Sequence, residues 1–181
     1  MRITEVNLRT GPFVKDDIFA ALRLLTRENE LVLRTMFATG LRVGDVLAFR
    51  TEDVRKTSFT IKEEKTGKKR RVRLGSQLRQ DLLGISGRVF VFEHRNEQFK
   101  HRTRQAVWKD LKRAAKLLRL PDTISTHSAR KTWAVEKFKK GYTVDEIQKI
   151  MNHSTPEITM VYCLADKITA KKCNSKNRKK T

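Results

Sequence analysis

The hydrophobic period of this chain changes at Ser58, and that change limits the fold more than any other feature. Through most of the sequence apolar residues recur every three or four positions, the spacing of a helix face. From Ser58 to Leu74 the spacing becomes two: Phe59 and Ile61 alternate with polar residues, Lys65-Thr66-Gly67-Lys68 has the composition of a turn, and Val72 and Leu74 alternate again. A β-hairpin is thereby set into a helical chain. Gln77 to Leu83 reads as a short helix after it, and Arg88 to Phe92 as a third strand. The expected fold class is α+β, mainly α-helical, with a small antiparallel sheet of about three strands on one side.

Helix signals bracket the hairpin. Asp16-Asp17 put negative charge at the start of a first helix with an apolar stripe of Ile18, Ala21, Leu22 and Leu25. A second periodic segment, from about Glu28, carries Leu31, Val32, Thr35 and Met36 and stops at Gly40, a residue suited to a left-handed C-cap. A short helix is expected from Val43 to Phe49. After a basic loop, His94 to Arg104, a long helix carries Val107, Leu111, Ala114 and Leu118 and is closed by Pro121. Thr126 is placed to cap the next helix, which ends at Gly141, and Thr143-x-x-Glu146 is a capping-box pattern for another. Thr155-Pro156-Glu157 starts a last short helix that carries Tyr162.

A chain of 181 residues suffices for one domain with its own core. We take it as residues 1–170, the first dozen being an extended lead-in. A basic tail, 171–181, is expected to be mobile unless it docks on something: six of its eleven residues are Lys or Arg and none is acidic. The whole chain has 41 Lys and Arg against 20 Asp and Glu, a formal charge of +21, which favours a polyanionic partner through counterion release. Nucleic acid comes first. The basic residues are spread through the chain rather than gathered on one amphipathic helix, which argues against a membrane surface, and no apolar run reaches the length of a membrane span. Without an apolar signal-peptide core at its N-terminus, the chain is expected in the cytoplasm or on the nucleoid. Cys163 and Cys173 lack the paired spacing of a zinc site and are expected reduced.

Between Thr126 and Tyr162 the chain concentrates two histidines, an arginine and a tyrosine that suit phosphate chemistry. His127 and Arg130 lie three apart and share a helix face. Taken singly, each has a plain structural explanation, as a satisfied cap, a surface cation or a core aromatic. Their combination with Arg42 and Lys65 is what matters. Phosphoryl transfer at a DNA backbone asks for bidentate donors on the non-bridging oxygens, which Arg42 and Arg130 provide. It also asks for an oxygen nucleophile, Tyr162, and a proton for the leaving oxygen, which Lys65 on its hairpin can deliver. His127 and His153 can donate to a phosphate oxygen or move a proton near neutral pH. Carboxylates spaced to hold Mg²⁺ are lacking, so charge neutralisation is expected to fall to the arginines and no metal is expected. Seven of the twelve residues from Lys62 to Arg73 are basic, and Lys68, Lys69, Arg70, Arg71, Arg102 and Arg104 form a set expected to contact DNA.

In order along the chain, these motifs resemble the boxes of the tyrosine recombinases, the phage integrases and Xer-type recombinases. Thr39-Gly40-Leu41-Arg42-Val43-Gly44-Asp45 is similar to the first arginine box, with its acidic residue three positions on. Lys65-Thr66-Gly67-Lys68 is similar to the hairpin of the catalytic lysine, Thr126-His127-Ser128-Ala129-Arg130 to the His-x-x-Arg box, and Met151-Asn152-His153-Ser154 with Tyr162 nine residues after His153 to the last box. The resemblance covers about residues 12–170. It implies a catalytic domain in which Tyr162 attacks a DNA phosphate to give a 3′-phosphotyrosyl link, Arg42 and Arg130 hold that phosphate, Lys65 is the general acid, His127 is an acid/base or a donor to the phosphate, and His153 is a hydrogen-bond donor to the phosphate. It implies no metal or other cofactor, because the bond energy is kept in the phosphotyrosine. Asp45 would support the site. The resemblance further implies double-stranded DNA as partner, a homo-tetramer on DNA with a monomer in its absence, and a bacterial, archaeal or phage-infected cell. Three features depart from the family pattern: Lys131 where histidine is common, Asn152 where glycine usually precedes the last-box histidine, and only about a dozen residues where the family's N-terminal clamp domain is expected, as in a catalytic fragment or a minimal protein. Alternatives from other classes are a DNA-binding regulator that keeps the fold, and relaxation of supercoils by cleavage and religation without a partner duplex.

Overall fold

The computed structural model describes residues 15–97, 99–120 and 124–152. The elements in chain order are α1 (Lys15–Arg23), α2 (Arg27–Thr39), α3 (Val43–Leu47), α4 (Thr51–Val54), β1 (Ser58–Lys62), β2 (Lys69–Arg73), α5 (Ser76–Ile85), α6 (Arg104–Leu117), α7 (Thr126–Lys139) and α8 (Val144–Met151). The class is α+β and mainly helical, as the periodicity predicts. His153, Tyr162, the expected last helix, the lead-in and the basic tail lie outside the described residues.

Helix α2 is the axis of the domain. Leu31, Val32, Leu33 and Met36 are buried along it, and α1, α3, α5, α6 and α7 all pack on it. Its polar residues are absorbed locally: the Thr35 and Thr39 hydroxyls donate to the carbonyls of Leu31 and Thr35 at 2.7 and 2.6 Å. Asp110 on α6 fixes its start, one carboxylate oxygen accepting from the Thr26 N–H at 2.9 Å and from Asn29 Nδ2 at 2.7 Å. Gly40 ends it in the left-handed region, φ 68°. The same glycine lets α7 approach, because a Cβ there would lie 2.6 Å from the ring of Trp133. One large core joins these helices to Phe59 and Val72 of the hairpin, and a smaller cluster of Trp133, Ala134, Ile147 and Met151 holds α8 against α7.

The hairpin register decides which of its residues meet the domain. β1 and β2 pair antiparallel, with Phe59 opposite Val72 and Ile61 opposite Arg70. Side chains alternate between faces, so Phe59, Ile61, Val72 and Arg70 share the inner face while Thr60, Lys62, Lys69, Arg71 and Arg73 share the exposed one. Phe59 packs edge-on against Phe49, the ring centroids 5.0 Å apart. Glu63, two residues beyond Ile61, extends the inward row just past the strand.

Other boundaries differ from the sequence-based expectation. The sheet has two strands, and Arg88 to Phe92 is not a third. Phe90 makes only an isolated bridge to Arg50, flanked by bonds from Thr51 N–H to the Val89 carbonyl (3.0 Å) and from Val91 N–H to the Phe49 carbonyl (2.9 Å). The Glu93 carboxylate takes the N–H groups of Arg88 and Val89 at 3.0 and 3.4 Å, donors that a longer ladder needs. The expected helix 43–49 stops two residues early, at Leu47, and a separate short helix, α4, follows at Thr51. The cap of α7 falls one residue early, on Ser125, whose N–H donates to Ser128 Oγ at 3.2 Å. The Thr143/Glu146 capping box is present on α8, which ends at Asn152 in the left-handed conformation, φ 50° and ψ 42°.

Candidate active site

Arg42 caps the start of α3, immediately after the Gly40 turn, and projects into a cleft of about 620 Å³. Asp45 lines the cleft from α3, Lys65 from the hairpin turn, Arg104 and Trp108 from α6, and His127 and Arg130 from the first turns of α7. Four of the six sequence-predicted catalytic residues, Arg42, Lys65, His127 and Arg130, therefore converge on one space, together with Asp45. They come from segments up to 88 residues apart in sequence. His153 and Tyr162 lie outside the described residues, and the chain leaves the described structure at Asn152.

The two arginines are held by different means. Arg130 is 4% exposed and is tied to backbone: Nη1 donates to the Gly40 carbonyl at 2.7 Å and Nη2 to the Met151 carbonyl. One guanidinium thus joins the ends of α2 and α8. Burial, followed by the charges of Arg42 and Arg70, pulls its pKa down to about 10, so it stays cationic at neutral pH. Arg42 is held by a carboxylate instead, with Nη1 2.7 Å from Glu63 Oε2.

Glu63 is fully buried and absent from the sequence-predicted set. Oε2 also accepts from Thr66 Oγ1 at 3.0 Å, and Oε1 accepts from Asn152 Nδ2 at 2.9 Å and faces Arg70 Nη1 at 3.6 Å. Burial pushes its carboxyl up, but the bonds from Asn152, Thr66 and Arg42 and the Arg42 charge together carry its pKa below the ordinary glutamate value. A signal for it was present in the sequence: Phe59, Ile61 and Glu63 stand two apart, so an acid occupies the third inward position of a strongly basic hairpin.

Asp45 braces the hairpin rather than pairing with Arg42. Its Oδ1 accepts the Glu64 N–H at 2.9 Å, fixing the backbone just before Lys65. Burial raises its pKa, opposed by that N–H and reinforced by the nearby Glu63 charge. His127 is exposed on the cleft wall, where partial desolvation and then the charges of Arg130, Lys131, Arg42 and Lys65 hold its pKa below the usual 6.5. Lys131, the departure next to Arg130, is buried, and desolvation lowers its pKa.

The six cations grouped for DNA contact do not behave alike. Lys68, Lys69 and Arg71 are exposed on the hairpin, and Arg104 is exposed at the cleft. Arg70 is turned inward, a correction imposed by strand parity: it reaches the Thr39 carbonyl and the Glu63 carboxylate. Arg102 is half-buried, its N–H donating to the Phe92 carbonyl at 2.6 Å. Among the described residues no group of three His, Cys, Asp or Glu is placed to hold a metal ion, and no helix is long and apolar enough to cross a membrane.

The fold has close counterparts among solved structures. A lambda integrase fragment (75–356), a dimer bound to a COC′ core site, superposes with a TM-score of 0.71 at 18% identity, over 90% of this chain and 62% of that one. The architecture is that of a tyrosine recombinase catalytic domain. Residues 14–167 match the phage integrase family, and the chain belongs to that family. Among relatives, the probable integrase/recombinase YoeC of Bacillus subtilis (strain 168) is 30% identical over 137 residues, covering 74% of this chain and 75% of YoeC. The tyrosine recombinase XerD of Oceanobacillus iheyensis is 28% identical over 153 residues, covering 76% of this chain but 50% of XerD. The chain thus spans three quarters of the first relative and half the length of the second.

Proposed function

We propose that this chain is the catalytic part of a site-specific DNA recombinase that cuts and rejoins strands through Tyr162. The observation that carries this reading is the convergence of Arg42, Lys65, His127 and Arg130 on one cleft walled by basic segments. In the forward step the Tyr162 hydroxyl gives up its proton to solvent and its oxygen attacks the scissile phosphorus, the bond to the 5′-oxygen breaks, and that oxygen takes a proton from the Lys65 ammonium, which solvent then restores. The product is a 3′-phosphotyrosyl bond and a free 5′-hydroxyl. Rejoining reverses the step, the 5′-hydroxyl of a partner strand attacking phosphorus and Tyr162 leaving. Arg42 and Arg130 neutralise charge that builds on the non-bridging oxygens, where fixed donors in a water-poor site act most strongly. His127, kept neutral at pH 7 by its surroundings, donates to one of those oxygens, and His153 adds a second donor. Asp45 keeps Lys65 in place through the Glu64 backbone. The exposed cations Lys68, Lys69, Arg71 and Arg104, with the half-buried Arg102, would follow the DNA backbone. Exchange between two duplexes calls for four copies on DNA, with monomers in its absence; native mass measurement of the DNA-bound and free chain tests this. A protein that works on DNA in this way would sit with the nucleoid.

The test is capture of the covalent intermediate. Incubated with a library of nicked duplexes of randomised core sequence, the wild-type chain should give a denaturant-resistant adduct on a recoverable subset, and Tyr162→Phe should give none. An adduct at wild-type level from Tyr162→Phe, or tight binding of every selected duplex without any adduct, would overturn the reading. Metal-free relaxation of a supercoiled plasmid by a chain that never exchanges strands would move the activity to topoisomerase-like chemistry.

A further inference from the structure

In a protein of formal charge +21, Glu63 is a carboxylate with 0% exposure. A buried carboxylate is strongly unfavourable unless its lone pairs are met, and these are met by three separate segments. Arg42 comes from the turn before α3, Thr66 from the hairpin turn beside Lys65, and Asn152 from the end of α8. Arg70 supplies further positive charge from β2. The Asn152 backbone is left-handed, a conformation that glycine adopts with less strain, so the backbone alone does not explain an asparagine there. Its amide does: it is the donor that joins α8 to the hairpin.

The geometry points to Glu63 as a positioning residue for strand cleavage, with Asn152 as its partner. The carboxylate holds Arg42 through Nη1, so that the guanidinium keeps an edge on the cleft for a phosphate oxygen. Through Asn152 it also fixes the point from which the chain runs on to His153 and Tyr162. Its charge stands among three guanidiniums, Arg42, Arg70 and Arg130, whose mutual repulsion would otherwise spread the site. This inference rests on the recombinase reading above.

The test uses the full chain and a nicked duplex recovered from the randomised library. Glu63→Gln removes the charge and turns an amide donor toward Asn152 Nδ2. Cleavage at saturating DNA should slow roughly 10- to 100-fold, as expected for a misplaced catalytic group. Affinity for the duplex should hold or tighten, because the site loses a negative charge. Asn152→Asp sets carboxylate against carboxylate and should slow cleavage likewise. The double variant Glu63→Gln/Asn152→Asp restores a donor and an acceptor, the amide introduced at 63 facing the carboxylate introduced at 152, and should regain most of the rate. Asn152→Gly, which suits the left-handed backbone but removes the amide donor from Glu63 Oε1, should slow cleavage at temperatures where the variant is still fully folded. Wild-type cleavage rates in Glu63→Gln, or losses of rate and affinity that only follow a fall in folded protein and are not repaired in the double variant, would overturn the role of Glu63. Absence of an adduct from the wild-type chain on every duplex it binds would instead overturn the recombinase reading.

Discussion

Arg42 and Arg130 face the same cleft, yet one is paired with a buried carboxylate and the other is held by two neutral carbonyls. The difference separates two tasks that a phosphate site needs. Arg130 brings its charge on a rigid mount of backbone carbonyls, where burial first and then the charges of Arg42 and Arg70 depress its pKa to about 10, against the opposing pull of Glu63 and Asp45. Arg42 brings a charge that Glu63 partly offsets, on a segment whose orientation that same carboxylate sets. Charge stabilisation is accordingly expected to rest more on Arg130, and alignment more on Arg42.

The largest effect should come from Arg130→Ala. Loss of one preorganised donor to a developing oxyanion costs on the order of 100- to 1,000-fold in rate, and here the ties to Gly40 and Met151 go with it. Single-turnover cleavage should fall at least that far while duplex affinity falls only modestly; equal loss of both would contradict the assignment. Arg42→Ala should cost less than Arg130→Ala, and the reverse order would undo the division of tasks. Gly40→Ala strikes the point the two halves share. Its strained φ and the clash with Trp133 should lower unfolding free energy by about 2–4 kcal/mol in urea titration.

Smaller effects sharpen the contrast between the cleft and the hairpin surface. Replacing Lys68, Lys69 and Arg71 with Gln should weaken binding and flatten the dependence of log affinity on log salt by about 0.9 for each phosphate that is no longer neutralised. The cleavage rate at saturating DNA should hold. The smallest effect concerns His127. Its NMR titration midpoint should lie below 6.5 and should rise when Arg130 is replaced, and rise less when Lys65 is replaced, following the order of their influence. Because the folded pKa is the lower one, the unfolded chain protonates first as pH falls. The stability linked to His127 is therefore intact above 6.5 and is lost as pH drops through 6.5 toward the folded value.

The parts of this site that were legible in the sequence are those fixed by local rules. Gly40 announces its cap, Thr143 and Glu146 their box, and the change to alternation at Ser58 the hairpin. The ordered motifs led to Arg42, Lys65, His127 and Arg130, which the cleft unites. What was not legible depends on register and on long-range partners. Counting Arg70 with its basic neighbours ignored that odd and even positions of a strand face opposite ways. Glu63 escaped notice because its three hydrogen-bonding partners lie 3, 21 and 89 residues away. A third strand at Arg88 to Phe92 was suggested by composition, but the Glu93 carboxylate claims the N–H groups that a ladder needs.

The claim on which the rest depends is that the cleft neutralises one scissile phosphate, with Arg130 as its main charge. The most direct measurement compares Arg130→Ala on the recovered duplex and on the same duplex with a methylphosphonate at the cleaved position, where one charged oxygen is missing. If Arg130 exists to offset that charge, the variant should regain roughly tenfold or more of its lost rate on the neutral linkage, and the wild type should gain little. An equal deficit of Arg130→Ala on both duplexes would contradict the account.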